Sequence, residues 1–140
     1  MFSKIAIIGA SVIGIALVPA AADATPPTGV TGTILYQVTI GHKDYILREI
    51  TIQPGGSTGW HYHDGTLYAV VKAGTLTHDD ADCTTVDTYQ KGDAFIEPSG
   101  ANHVHIGRNI GTTPIVLDVL YVDPAGSPLS EDAPDPGCKL

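Results

Sequence analysis

Two pairs of histidines carry the chemistry this sequence can be expected to do. His61 and His63 flank Tyr62, and His103 and His105 flank Val104. In an extended strand residues i and i+2 point to one face, so each pair can present two imidazoles to a single point. Neutral imidazoles are good ligands for Zn, Cu, Ni and Fe. A third imidazole from the second pair would complete a three-histidine set with coordination positions left for water or a small molecule. His103 and His105 share a face by parity, so either can serve. Parity alone leaves His103 and His105 both open. Histidines kept as packed pocket residues without a metal are the competing reading.

Such a site must be held by strands, and the chain supplies little else. From Thr33 to Val122 it consists of short runs rich in β-branched and aromatic residues. Turns at Gly41–Asp44, Pro54–Ser57, Asp64-Gly65, Ala73-Gly74, Lys91-Gly92, Pro98–Gly100 and Gly111–Pro114 separate them. The strands expected are Thr33–Ile40, Tyr45–Gln53, Thr58–His63, Leu67–Lys72, Thr75–His78, Val86–Gln90, Asp93–Glu97, His103–Ile110 and Ile115–Val122. Short strands at close spacing without helical periodicity indicate an all-β sandwich or barrel. Thr25–Gly32 reads as a mobile Pro/Gly/Thr linker, and Asp123–Leu140 as a tail without helical period.

The spacing of glycines and histidines resembles the two motifs of the cupin superfamily. Gly55, His61, His63 and Gly74 stand at the first motif's positions, and Gly92, Pro98, Gly100, His103 and Asn109 at the second's. The resemblance spans about Tyr45 to Val122 and is closest to small single-domain type-2 cupins. It implies a double-stranded β-helix, or jelly-roll, barrel. It also implies a divalent transition metal (Zn, Mn, Fe, Ni or Cu) in the barrel mouth, with a small-molecule ligand or substrate. Chemistry of dioxygenase or isomerase/hydrolase type and non-enzymatic ligand or metal binding both remain open. Cupins often dimerise, so the resemblance admits a homodimer.

Two departures from the family pattern bear on the site. The glutamate of the first motif falls on Leu67, or on Tyr68 with the longer spacing, and neither is a carboxylate. The second motif carries two extra residues between Gly100 and Asn109, which is why His103 and His105 compete; the motif's spacing to Asn109 favours His105, with His103 as the alternative. Leu67, Tyr68, Glu97 and Asn109 are therefore pocket candidates. Glu97 precedes Pro98 and is expected on the surface at a strand end, the alternative being approach to the pocket as a ligand or base. His42 and His78, in or beside turns, read as solvent histidines. Asp79–Thr84 reads as a solvated acidic loop.

The remaining features set the compartment and exclude partners. Lys4, the apolar run Ile5–Val18, Pro19 and the small-residue stretch to Ala24 have the layout of a secretory signal peptide over residues 1–24. The apolar run is shorter than the roughly 20 residues a spanning helix needs. Residues 25–44 then form a linker and first strand, 45–122 the barrel core, and 123–140 the tail. Secretion, or residence in the periplasm or cell envelope, follows. In an oxidising compartment Cys83 and Cys138 are expected to form one disulfide that tethers the tail. The formal charge of −8 repels phosphate backbones and makes nucleic acid an unsuitable partner.

Overall fold

The computed structural model describes residues 23–140; of the expected signal peptide only Asp23 and Ala24 fall among them. All ten elements of this part are strands: β1 (Thr28–Ile40), β2 (Lys43–Ser57), β3 (His61–Tyr62), β4 (Thr66–Ala73), β5 (Thr75–Asp80), β6 (Val86–Gln90), β7 (Ala94–Glu97), β8 (His105–Arg108), β9 (Ile115–Pro124) and β10 (Glu131–Asp132). They pair antiparallel into a nearly closed barrel, the double-stranded β-helix expected from the sequence. One wall runs β1-β2-β9-β4-β7 and the other β10-β3-β8-β5-β6, and β2 joins the two where Ser57 pairs with Arg108.

That junction corrects the turn expected at Pro54–Ser57. The chain does not reverse there. It bends through Gly55, whose φ is 78°, and crosses from one wall to the other. Gly55 N–H donates to the Asn109 carbonyl (2.9 Å) and Asn109 N–H to the Gly56 carbonyl (3.0 Å). A Cβ on Gly56 would lie 2.7 Å from the Thr28 carbonyl oxygen, so only glycine lets the strands approach this closely. Corners at which one strand changes sheets are commonly made by such bends.

The core lies between the walls and follows the alternation of β9. Ile115, Leu117, Val119, Tyr121 and Asp123 are buried, and the residues between them are less so. They pack with Ile46, Ile52, Leu67, Ala69, Val71, Leu76 and Phe95. A smaller cluster of Trp60, Ile106 and Ala133 lies against the C-terminal tail.

Both ends of the described part are tied to the barrel. The segment expected to be a mobile linker pairs with β2 from Thr28 onward. Before that, the Thr25 hydroxyl accepts from the Trp60 amide at 2.6 Å. The tail adds β10 to β3, and Ala133 N–H donates to the Trp60 carbonyl (2.9 Å). The disulfide expected from the sequence is present between Cys83 and Cys138, with Cα atoms 5.1 Å apart.

The acidic loop is shorter than expected. β5 continues to Asp80, and Asp79 is buried under two hydrogen bonds from Arg108, at 2.8 and 3.0 Å. Asp82 caps the turn by accepting from the amides of Thr84 and Thr85.

Candidate metal centre

The two histidine strands meet at the mouth of the barrel. His61 opens β3 and pairs across the sheet with His105, the first residue of β8. His63 follows β3 on the same face as His61. The ring centroids are 4.4 Å apart for His61 and His105, 4.8 Å for His61 and His63, and 5.3 Å for His63 and His105. All three residues are buried, and one ring nitrogen from each lies within 4.8 Å of the others.

Hydrogen bonds on the far side of each ring fix what the near side offers. Nδ1 of His61 faces the Gly59 carbonyl at 2.8 Å, Nδ1 of His63 the Leu129 carbonyl at 2.8 Å, and Nδ1 of His105 the His103 carbonyl at 3.0 Å. A carbonyl only accepts, so each Nδ1 must carry the proton. In the neutral ring Nε2 then holds a lone pair, which is the tautomer of a metal-ligating imidazole. Burial, followed by the neighbouring His105 and His63, pushes the His61 pKa down to about 3. His61 therefore stays neutral across the ordinary pH range.

The missing carboxylate comes from across the sheet. Leu67 on β4 is in register with Glu97 on β7, and both face inward. Glu97 Oε2 lies 3.1 Å from His63 Nε2 and 3.3 Å from His105 Nε2, while Oε1 lies 3.4 Å from His78 Nε2. Burial alone would raise the Glu97 pKa, but contacts to His105, His63 and His78 outweigh it and hold the pKa well below the usual carboxylate range.

The donor set therefore fits a cation. Three Nε2 atoms, each with a lone pair in the neutral ring, converge with an ionised carboxylate, and His105 Nε2 finds no aligned hydrogen-bond partner. Acceptors facing one another with no donor between them repel unless a proton or a metal ion stands among them. The adjoining cavity of about 50 Å³ is lined by His61, His63, Leu67, His78, Glu97 and Tyr121 among others. It has room for an ion and about one water.

Several sequence expectations change here. His105 joins His61 and His63. His103 is half-buried beside it, forms a second histidine group with His78 and His105, and contributes its carbonyl to the His105 ring. Glu97 is not at the surface, because β7 places it on the face of the buried Phe95. His78 is not a solvent histidine: it is buried, its ring stacks on His105 (4.8 Å, interplanar angle 19°), and its Nδ1 lies 3.7 Å from Asp80. Burial pulls the His78 pKa down, but Glu97, Asp80 and Asp87 more than offset this and raise it.

Leu67 is an apolar wall of the cavity, as its inward position requires. Tyr68 points out of the barrel and is 48% exposed. Asn109 is buried but serves the corner rather than the pocket. Its Nδ2 donates to the carbonyls of Ile52 (2.9 Å) and Thr113 (2.8 Å), and its Oδ1 accepts from Gly111 N–H (3.0 Å). Strand parity held the signal for Glu97 and His78, since Phe95 and Leu76, each two residues earlier, are core residues.

A second cavity of about 220 Å³ opens over the cluster, lined by Val30, Arg48, Thr58, His61, His63 and Tyr121 among others. Tyr121 meets the His63 ring edge-on at 5.8 Å. Burial raises the Tyr121 pKa to about 12, with Arg48 opposing the shift, so the phenol stays protonated.

Comparison with known proteins agrees with this architecture. The family model described as Cupin domain matches residues 48–122. No curated protein matches the chain in sequence. Among solved structures it is similar to the polyketide cyclase RemF from Streptomyces resistomycificus (18% identity, 89% of this chain and 90% of that one, TM-score 0.62). It is also similar to a double-stranded β-helix domain protein from Klebsiella pneumoniae (21%, 77% and 84%, TM-score 0.59). A third is the Cupin_2 domain of an XRE family transcriptional regulator from Enterobacter cloacae (17%, 69% and 99%, TM-score 0.58). At these identities the likeness is one of fold.

Proposed function

The chain belongs to the cupin family, and from that premise we propose that it is an exported metal-binding cupin that binds or transforms a small molecule at the barrel mouth. His61, His63 and His105 would hold a divalent transition metal through Nε2, with Glu97 as the anionic fourth ligand. One observation carries this reading: every Nδ1 in the trio is committed to a carbonyl, which leaves the three Nε2 atoms and the Glu97 carboxylate facing one another.

When bound, the metal would supply Lewis acidity toward an oxygen-bearing ligand. The chain's own residues do the rest. The carbonyls of Gly59, Leu129 and His103 fix the imidazole orientation. His78, stacked on His105, contacts the second oxygen of Glu97 and fixes the carboxylate. Leu67, Phe95 and Tyr121 keep the inner cavity apolar and limit its water. Imidazole with one carboxylate suits Zn, Mn, Fe, Ni or Cu. In the proposed organisation residues 45–122 form the working barrel, and residues 123–140 brace it through the Leu129 carbonyl and the disulfide. The disulfide supports export, because such bonds persist in oxidising compartments.

Elemental analysis of protein isolated from its own host tests the proposal. One equivalent of a transition metal per chain is expected, lost in His61→Ala. Sub-stoichiometric metal that His61→Ala leaves unchanged would refute it. Turnover of O₂ or of a small-molecule panel by protein loaded with each of the five metals would separate an enzyme from a binding module.

A further inference from the structure

The chain contains two arginines, and their surroundings differ sharply. Arg108 is spent on the buried Asp79. Arg48 makes no ion pair with any described carboxylate, although the chain carries a formal charge of −8. It lies on the inward face of β2, in the alternation Ile46, Arg48, Ile50, Ile52 that otherwise builds the core. Its side chain is half-buried and lines the cavity above His61, His63 and Tyr121.

The fold makes room for this guanidinium. Gly32 on β1 pairs with Ile50, and a Cβ added there would lie 2.2–2.3 Å from three guanidinium atoms of Arg48. The planar head thus lies flat on the Gly32 backbone. A side chain at Gly32 would have to displace it. A flexible surface cation needs no such cradle. A guanidinium held in the wall of a small cavity beside Tyr121, with no described carboxylate as its partner, is matched to a carboxylate.

We propose that Arg48, seated on Gly32, is the anchor for a small monocarboxylate ligand whose other end approaches the histidine cluster. A cavity of about 220 Å³ takes a small organic acid and not a polymer. A single guanidinium suits one carboxylate better than a phosphate dianion, whose usual sites add backbone amides or further cations. This names the ligand class of the proposed metal site and rests on that reading only for where the far end of the ligand lies.

Calorimetry with isobutyrate, its neutral amide and inorganic phosphate tests the anchor on full-length protein, nickel-loaded and metal-free. Wild type should bind isobutyrate at least tenfold more tightly than the amide. Arg48→Gln should abolish that preference, Arg48→Lys should restore part of it, and Gly32→Ala should weaken it with the charge still present. Nickel stoichiometry should be the same in all four proteins. An undiminished preference in Arg48→Gln, equal binding of acid and amide by wild type, or tighter binding of phosphate would overturn the proposal. Full nickel occupancy without an acid preference would refute the anchor alone. An Arg48-dependent preference without nickel binding would leave the anchor standing and refute the metal site.

Discussion

Moving the carboxylate back across the sheet is the most demanding test of the candidate centre. Leu67 and Glu97 are register partners on the inner face, and directly opposed residues in an antiparallel pair have Cα atoms about 4.5–5.5 Å apart. A glutamate side chain can span that offset, so the pair Leu67→Glu with Glu97→Leu keeps composition and core volume while relocating one charge. Glu97→Leu alone removes the anion lying 3.1–3.4 Å from His63, His105 and His78. Loss of even an outer-shell partner typically costs about 10–100-fold in metal affinity, so loss of the anionic ligand itself should cost at least about a hundredfold. The double variant should recover most of that and come within about tenfold of wild type. Leu67→Glu alone places two carboxylates side by side and should lower the melting temperature of the metal-free protein through like-charge repulsion. Competition against a chromophoric chelator reads the affinities, and thermal melts show that each variant is folded. The reasoning fails if Glu97→Leu binds metal as tightly as wild type, or if the double variant binds no better than Glu97→Leu.

Two further tests concern stability. The disulfide closes a sequence separation of 55 residues, for which the chain-entropy model gives about 4 kcal/mol. Cys83→Ala/Cys138→Ala should approach that loss in urea unfolding; because the tail also presents the Leu129 carbonyl to His63, metal affinity should fall with it, and a variant as stable as wild type would contradict the tethering role. The second test is pH. Burial, with His105 and His63 beside it, lowers the His61 pKa to about 3 in the fold against the ordinary 6.5, so the unfolded chain binds more protons between those values. The stability His61 contributes is complete above pH 6.5 and is lost as pH falls toward 3. At 1.36 kcal/mol for each pH unit, metal-free wild type should lose about 3 kcal/mol more than His61→Asn between pH 6.5 and 4. Comparison with that variant cancels the opposing contribution of His78, whose pKa is raised, and equal losses in the two proteins would refute the assignment.

Much of this molecule is legible in its sequence because β structure writes itself in period two. The spacing of Gly and Pro marks most strand ends, and Val86–Gln90 is found with its bounds unchanged. The disulfide follows from compartment and count. What stays hidden is whatever depends on which strands become neighbours. Pro54–Ser57 has turn composition, yet it is a sheet-switching bend because β8 lies ready to receive its amides. The linker composition of Thr25–Gly32 says nothing of the β2 edge that captures it.

The histidine-poor half of the site shows the same limit. A motif counts residues along one strand, so the empty carboxylate position at Leu67 reads as a loss. Metal ligands are chosen by position in space, and the residue opposite Leu67 reaches the same point from β7. Parity recovers it without any motif. Glu97 is two residues from Phe95, His78 two from Leu76, and Arg48 lies between Ile46 and Ile50 on the inward face. Each is a titratable residue on a face that its neighbours mark as core. Polar groups on such faces are costly unless paired. Glu97 and His78 find that pairing in each other and in the histidine trio, whereas Arg48 pairs with no described carboxylate. The same rule that brings Glu97 into the metal centre therefore makes Arg48 the group in this barrel that still calls for an anion.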